Sequence, residues 1–316
     1  MSIIGAGRLG TALGLALKGV GYKVEVVATK RASGARRAAR AFGPGTLAIT
    51  ADKLGTMTPS QQDRFDHCAL ILIATPDDVI ASVAKHLAAI SQAKPLRSRS
   101  DKNALIGHRV VLHTSGALAA EVLKPMRRAG FAAGSLHPLV SISDSQTGAK
   151  LLAGAFFSVE GDAAAVRLGK SIVSHLGGES LKIDSRRKAL YHAAALTASP
   201  HMTALFDIAV DMLGVCGVPP ARAQRILLPL VESTVANLKI QDPANALTGT
   251  FARGDVDTVQ AHLAALEAAN VPQALNAYVA LGQRSVSMAK TRGANPTGLA
   301  KISRMLARAA NRSRTR

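Results

Sequence analysis

Ser2-Ile3-Ile4-Gly5-Ala6-Gly7-Arg8-Leu9-Gly10 opens the chain, and a small, apolar run follows from Thr11 to Leu17. The stretch reads as a short buried strand, a glycine turn and the start of a helix. Three glycines at this spacing allow a tight turn, a close approach of backbone to a pyrophosphate, and close packing of helix on strand. Gly5, Ala6, Gly7, Arg8, Leu9 and Gly10 are therefore the first candidate cofactor contacts. The setting between strand and helix carries the reading, because the glycine spacing alone is widespread.

The chain has 316 residues, of which 48% are apolar, with no Trp, 3 Tyr and 7 Phe. That length calls for two domains, and the core must be built from Ala, Leu, Val and Ile. The boundary is drawn at 160/161: a dinucleotide-binding domain over 1–160 and a helical substrate and dimerisation domain over 161–316. Cys68 and Cys216 are the only cysteines, with neither disulfide nor metal-ligand spacing, so no metal is expected. A reducing, cytoplasmic setting is the simple reading. No leader or membrane span is expected, since no continuous apolar run reaches about 18 residues. Net charge is +19, from 39 Lys and Arg against 20 Asp and Glu. The basic clusters lie at Lys30–Arg40, Lys94–Lys102, Arg186–Lys188 and Arg304–Arg316, without interleaved aromatics. That spread argues against nucleic acid as the main partner and suits an anionic substrate and cofactor.

Val24–Ala28 reads as the second strand, and Thr29-Lys30-Arg31 follows it, with Arg36 and Arg37 beyond. An NAD site usually ends this strand with an acidic residue that holds the ribose hydroxyls. Basic residues there favour a ribose phosphate, so NADP is expected over NAD, held by Thr29, Lys30 and Arg31. Ala69–Ala74 is a fully apolar strand ended by Thr75-Pro76-Asp77-Asp78. Ala74, Thr75 and Pro76 are candidate cofactor contacts. Residues 91–107 read as a polar surface excursion. Val110–His113 is the next strand, with Thr114-Ser115-Gly116 at its end, and Ala132–Leu136 another, followed by His137-Pro138. Phe156–Glu160 reads as the last strand of a mostly parallel sheet. Ligands of such sheets bind beyond the strands' carboxyl ends. Gly5–Gly10, Thr75, Ser115 and His137 all follow strand ends and can meet in one crevice. Ser115 is a cofactor contact there and a candidate hydrogen-bond partner of His137 in acid–base work.

From residue 163 the pattern is helical, apart from a strand-like Ser180–Ile183. Arg186 to about Gly214 reads as one long helix, kinked at Pro200. Lys188, His192 and Ser199 fall on one stripe at about 100° per residue, with Tyr191 about 60° to one side. Lys188 and His192 are candidates for catalysis and substrate charge, and Ser199 and His201 for substrate binding. Thr248–Asp255 reads as a turn-rich loop in which Asp255 caps the next helix and Arg253 is free to meet an anion. Further helices are expected over 219–238, 255–268, 271–290 and 298–310.

Taken together, the chain resembles a family of Rossmann-like NADP oxidoreductase-like proteins with a C-terminal helical domain of unknown function. The resemblance rests on Gly5–Gly10, Ile73-Ala74-Thr75-Pro76-Asp77-Asp78, His113-Thr114-Ser115-Gly116 and Leu136-His137-Pro138-Leu139. It also rests on Tyr191-His192-Ala193-Ala194-Ala195 and on Thr248–Asp255 with His262. More distantly it is similar to prephenate dehydrogenases, pyrroline-5-carboxylate reductases, ketopantoate reductases and 6-phosphogluconate dehydrogenase-like hydroxyacid dehydrogenases. The resemblance implies an α/β Rossmann domain followed by an all-α domain of the 6-phosphogluconate dehydrogenase C-terminal type. It implies a catalytic His137 with Ser115 nearby, a substrate-side stretch at Ser199-Pro200-His201, and Lys188 and His192 on the helix that carries Lys and Asn in hydroxyacid dehydrogenases. Thr250 stands where the family often has Pro, and no Asn stands near Pro200.

The expected function is NADP-dependent hydride transfer to or from a small, anionic carbonyl or imine substrate bound between the domains, in a homodimer formed through the helical domain. A non-catalytic dinucleotide sensor or scaffold is the alternative.

Overall fold

The computed structural model describes residues 1–91, 109–269 and 271–314. The polar excursion expected over 91–107, with its Lys94–Lys102 cluster, lies outside the described residues apart from Ser91, as do the last two residues of the basic tail. The chain divides into two compact units, Met1–Thr197 and Ala198–Arg316.

The first unit is built on one eight-stranded sheet. Its strands are β1 (Ser2–Ile4), β2 (Val26–Thr29), β3 (Leu47–Thr50), β4 (Leu70–Ile73), β5 (Val110–His113), β6 (Ala132–Pro138), β7 (Phe156–Gly161) and β8 (Glu179–Leu181). They run in the order β3-β2-β1-β4-β5-β6-β7-β8. All neighbours are parallel except β6 and β7, which pair antiparallel. The β4 run Leu70-Ile71-Leu72-Ile73 is buried throughout, as a strand covered on both faces must be. The helices of this unit are α1 (Arg8–Gly19), α2 (Ala32–Phe42), α3 (Pro59–Asp66), α4 (Asp77–Ile90), α5 (Lys124–Arg128), α6 (Ser145–Leu151), α7 (Ala163–His175) and α8 (Lys188–Ala198). One core layer joins Leu13, Leu17, Leu72, Leu112, Leu136 and Phe157 to α1 and α7. The other joins Ile4, Ile71, Ile73, Val111 and Ala133 to α4 and α5.

Strand order reverses between β1 and β4, which both pair with each other in register, Ile4 opposite Ile73. A sheet of this type takes its ligands at that switch point. Gly5, at φ +94°, leaves β1 there, and a Cβ on it would stand 2.7 Å from the Ala74 carbonyl carbon. A Cβ on Gly10 would collide with the Gly5 carbonyl oxygen.

The second unit is all-helical: α9 (Pro200–Val215), α10 (Pro220–Ile240), α11 (Pro243–Ala246), α12 (Gly249–Arg253), α13 (Val256–Ala268), α14 (Pro272–Thr291) and α15 (Pro296–Arg314). Its core gathers Val259, Leu263, Val279, Val286, Ile302 and Leu306 from α13, α14 and α15. Asp255 caps α13 by accepting from the Thr258 amide, as its position before the helix suggests.

Several expectations differ from the structure. The boundary at 160/161 falls inside the first unit, because α7 packs on β6 and β7 and β8 pairs with β7. The strand ending at Glu160 is thus not the last. The helix expected over 186–214 is two helices, and Ser199 between them adopts φ −129°, ψ −77°. Pro200 lacks an N–H and crowds the residue before it out of helical geometry, so it starts α9 instead of kinking one long helix. The Thr248–Asp255 loop contains a helical turn, α12, ended by left-handed Gly254 at φ +68°. Finally, β6 continues through His137 and Pro138, so His137 is a strand residue. A strand, β3, also forms at Leu47–Thr50, where none is expected from the sequence.

Gly10→Ala therefore lowers stability by roughly 1–3 kcal/mol, the usual range for forcing a methyl into filled space, and denaturant unfolding measures it. An unchanged midpoint contradicts the turn geometry.

Candidate active site

The site begins at the glycine turn. Gly5 N–H donates to the Ala28 carbonyl and Ala74 N–H to the Ile4 carbonyl, both at 2.8 Å, locking the ends of β1, β2 and β4 together. Gly7 is the N-cap of α1 and supplies no side-chain cap. Nothing lies within 4 Å of the place a Gly7 Cβ would occupy. The first amides of a helix lack intrahelical partners and favour an anion. Arg8 is exposed beside them, Leu9 half-buried and Ala6 buried. Across the switch point, Thr75 Oγ1 is buried with no hydrogen-bond partner, and its Cγ2 would touch a Cβ at Gly5. Open space at Gly7, an uncapped helix end and an orphaned hydroxyl fit a dinucleotide. At the end of β2, Thr29 Oγ1 donates to the Arg31 carbonyl at 2.7 Å. Lys30 and Arg31 are exposed there, and α2 starts at Arg31 without a side-chain cap.

The β4 and β5 loops are tied by one bond: Ser115 Oγ donates to Asp77 Oδ2 at 2.7 Å. The same oxygen accepts from the Ala117 and Leu118 amides at 3.2 and 3.0 Å. Ser115 is thus spent on the loops and does not hydrogen-bond His137. This corrects the expected Ser115–His137 pair. The reason is local, since the turn after His113 points the hydroxyl toward α4.

A polar layer then covers one face of β5, β6 and β7. His113, Ser135, His137, Glu160 and Ser158 share that face. Alternation places Ser135 and His137 together, and the register sets His113 beside Ser135, Ser135 opposite Glu160 and His137 opposite Ser158. Helix α8 lies on this layer and presents Lys188, Tyr191 and His192, spaced i, i+3, i+4. Lys188 is 0% exposed. Its Nζ donates to Ser135 Oγ at 2.7 Å and pairs with Glu160 Oε1 at 3.5 Å. Ser135 Oγ donates in turn to the Ser115 carbonyl at 3.3 Å, and Glu160 Oε1 accepts from the Ala120 amide at 2.8 Å. Burial pulls the Lys188 pKa down, against the pull of Glu160 and Asp77. Lys188 therefore ties α8 to β6 and β7 through Ser135 and Glu160.

His137 Nδ1 lies 2.9 Å from Tyr191 Oη. Its ring stands edge-to-face with those of Tyr191 and His192, at 5.6 Å between centroids in each case. Gly116 leaves the necessary room: a Cβ there would stand 2.5 Å from His192 Nδ1 and 2.7 Å from His137 Nε2. His192 Nδ1 and His113 Nε2 are buried without hydrogen-bond partners. His113 Nδ1 accepts from the Ser115 amide at 3.2 Å. Burial, reinforced by His192 and Lys188, pushes His137 down to about 4. Burial and Lys188 push His113 down to about 3. Burial pushes the Tyr191 hydroxyl up. At neutral pH both imidazoles are uncharged and the phenol keeps its proton.

The structure thus brings together His137, His192, Lys188 and Ser115, linked through Asp77 and Thr75 to the glycine turn. Tyr191 and Gly116 were missing from the sequence-based set of site residues. Ser199, His201 and Arg253 belong to the second unit. Ser199 precedes α9 and is half-buried, His201 is exposed in its first turn, and Arg253 is exposed at the end of α12. Among the described residues no group of three or more His, Cys, Asp or Glu could hold a metal ion. No described helix is long and apolar enough to cross a membrane.

Residues 1–138 match the family model described as a Rossmann-like domain, and residues 155–285 match a domain of unknown function, DUF2520. The chain therefore joins a Rossmann-like domain to a C-terminal helical domain of unknown function. No curated protein matches it in sequence. Among solved structures it is similar to protein TM1727 from Thermotoga maritima, at 21% identity and TM-score 0.65, over 92% of this chain and 98% of that one. It is also similar to the Aspergillus terreus reductive aminase in complex with NADPH and ethyl levulinate, at 16% identity and TM-score 0.55, over 98% and 93%. A third likeness is the Myxococcus stipitatus imine reductase in complex with NADP+, at 18% identity and TM-score 0.53, over 96% and 99%. At these identities the likeness is one of fold.

The lowered histidines give a stability prediction with a definite sign. An unfolded His titrates near 6.5, so between there and pH about 4 the unfolded chain binds more protons than the folded one. Stability is full above pH 6.5 and declines as pH falls through that window. His113→Asn keeps an acceptor for the Ser115 amide and removes the titration. The loss of melting temperature between pH 7 and pH 5 should shrink in that variant, and an equal loss in both proteins contradicts the assignment.

Proposed function

We propose that the chain is an NADP-dependent oxidoreductase that moves a hydride between nicotinamide and a small carbonyl or imine substrate. One observation carries the reading. Thr75 stands against the glycine turn, Asp77 two residues on accepts from Ser115, and Gly116 next to Ser115 lies against His137 and His192, with Tyr191 on the other side of His137. Dinucleotide chemistry needs the turn and the histidines close together, because the cofactor carries the hydride and the protein supplies orientation and proton handling.

In this reading the amides at the start of α1 hold the pyrophosphate, and Thr75 Oγ1, with Ala74 and Pro76 around it, gains the partner it lacks. Thr29, Lys30 and Arg31, with the uncapped start of α2, take the ribose phosphate that distinguishes NADP from NAD. The named complexes of the reductive aminase with NADPH and of the imine reductase with NADP+ support the same cofactor and the same two substrate classes. The His137 cluster manages the proton that accompanies the hydride. An anionic group on the substrate would be hydrogen-bonded by His192, since Lys188 is already engaged, and His201, Ser199 and Arg253 stand as further substrate candidates.

A homodimer formed through the helical unit belongs to this proposal. Its support is the exposed apolar set on α10, including Ile226, Leu228, Leu230, Leu238 and Ile240, since apolar patches of this kind mark association surfaces. Light scattering on the full chain should give a dimer, and Leu230→Asp should shift it toward monomer. A monomeric wild type removes this part of the proposal.

Fluorescence titration tests the cofactor. NADPH should bind more tightly than NADH, and Arg31→Ala should erase most of that preference, losing about 1.5–3 kcal/mol for a charge-assisted bond. Equal affinities in the wild type contradict NADP. Failure of both nucleotides to bind contradicts the function.

A further inference from the structure

We propose that Tyr191 is the catalytic proton donor in the reductive direction, and that His137 is the positioning residue that reloads it from the His192 side. This rests on the oxidoreductase reading above and deepens it.

The geometry gives His137 two different neighbours. Its Nδ1 faces Tyr191 Oη at 2.9 Å, and its Nε2 faces the space over Gly116 that His192 Nδ1 also faces. A neutral imidazole can accept a proton at one nitrogen while releasing one at the other. The charged groups nearby are occupied elsewhere. Lys188 is bound by Ser135 and Glu160, and Asp77 by Ser115. His113 is held at Nδ1 by the Ser115 amide, which leaves His137, His192 and the phenol to handle protons. An uncharged imidazole N–H is a far poorer acid than a phenol O–H, and burial keeps His137 uncharged at neutral pH. Tyr191 is therefore the better immediate donor.

The substrate carbon gains the hydride supplied by the reduced nicotinamide, and the π bond to oxygen or nitrogen opens. That heteroatom takes the Tyr191 hydroxyl proton. Tyr191 Oη takes the proton on His137 Nδ1, and His137 Nε2 takes one from solvent by way of His192. One solvent proton is consumed and no side chain is left charged; His137 is left protonated on Nε2, and exchange with solvent after the product leaves returns the proton to Nδ1 for the next turnover. The arrangement requires the resting His137 to carry its proton on Nδ1, donating to Tyr191, with Nε2 bare. Its reverse, in which Tyr191 donates to Nδ1, ties up the very proton the substrate needs.

The test is nitrogen NMR of the full-length protein, with labelled histidine, at neutral pH and without substrate. The expected result is His137 protonated on Nδ1 in the wild type, reverting to Nε2 in Tyr191→Phe. His137 protonated on Nε2 in the wild type overturns the proposal. A second arm uses NADPH with a panel of 2-keto acids and imines. Tyr191→Phe should lower kcat about 100-fold or more on any panel member that turns over, with the Kd for NADPH unchanged. Wild-type kcat in that variant also overturns it. Failure of the wild type to bind NADPH would sink the oxidoreductase reading instead, and the tautomer would still be read independently.

Discussion

The buried ammonium of Lys188 is the constraint on which the site depends. A charge taken fully out of water must be met by a counter-charge and hydrogen bonds. Ser135 on β6 and Glu160 on β7 meet this one. That fixes where α8 sits on the sheet, and hence where Tyr191 and His192 stand relative to His137. Breaking such a pair by removing one partner costs about 3–5 kcal/mol. The same charge helps to keep His113 and His137 neutral. One residue thus sets both the geometry and the protonation of the polar layer.

The antiparallel pairing of β6 and β7 makes that tie available. With the reversal, Ser135 faces Glu160 and His137 faces Ser158, so β7 returns polar groups to the strand ends where ligands bind. Below this layer the packing is ordinary: Leu136 and Val159 turn to the opposite face and join the core around α7. The alternation of Ser135, Leu136 and His137 divides one strand between a core and a site.

Much of this was legible in the sequence, for physical reasons. The glycine turn could be read because each glycine has a separate need: positive φ and no room at Gly5, open space at Gly7, contact with a carbonyl at Gly10. His137 could be read because it ends a short apolar strand. Its partners could not. Ser115 stands at a neighbouring strand end, but its hydroxyl direction is set by the loop amides of Ala117 and Leu118. Tyr191 lies about 60° off the Lys188–His192 stripe, yet a helix face is wide enough to present residues i, i+3 and i+4 together. The Lys188 tie depends on the register of two strands distant in sequence, which no local pattern encodes. The break at Ser199 was signalled by Pro200, whose usual place is the first turn of a helix.

The central claim is that the glycine turn and the His137 cluster serve one bound dinucleotide. A crystal structure of the full chain grown with NADP+ tests it most directly. The account predicts the pyrophosphate on the amides of Arg8 and Leu9, the ribose phosphate at Arg31, and the nicotinamide beside Thr75 on the side of His137. A dinucleotide bound elsewhere, or a nicotinamide turned away from His137 and Tyr191, would contradict it.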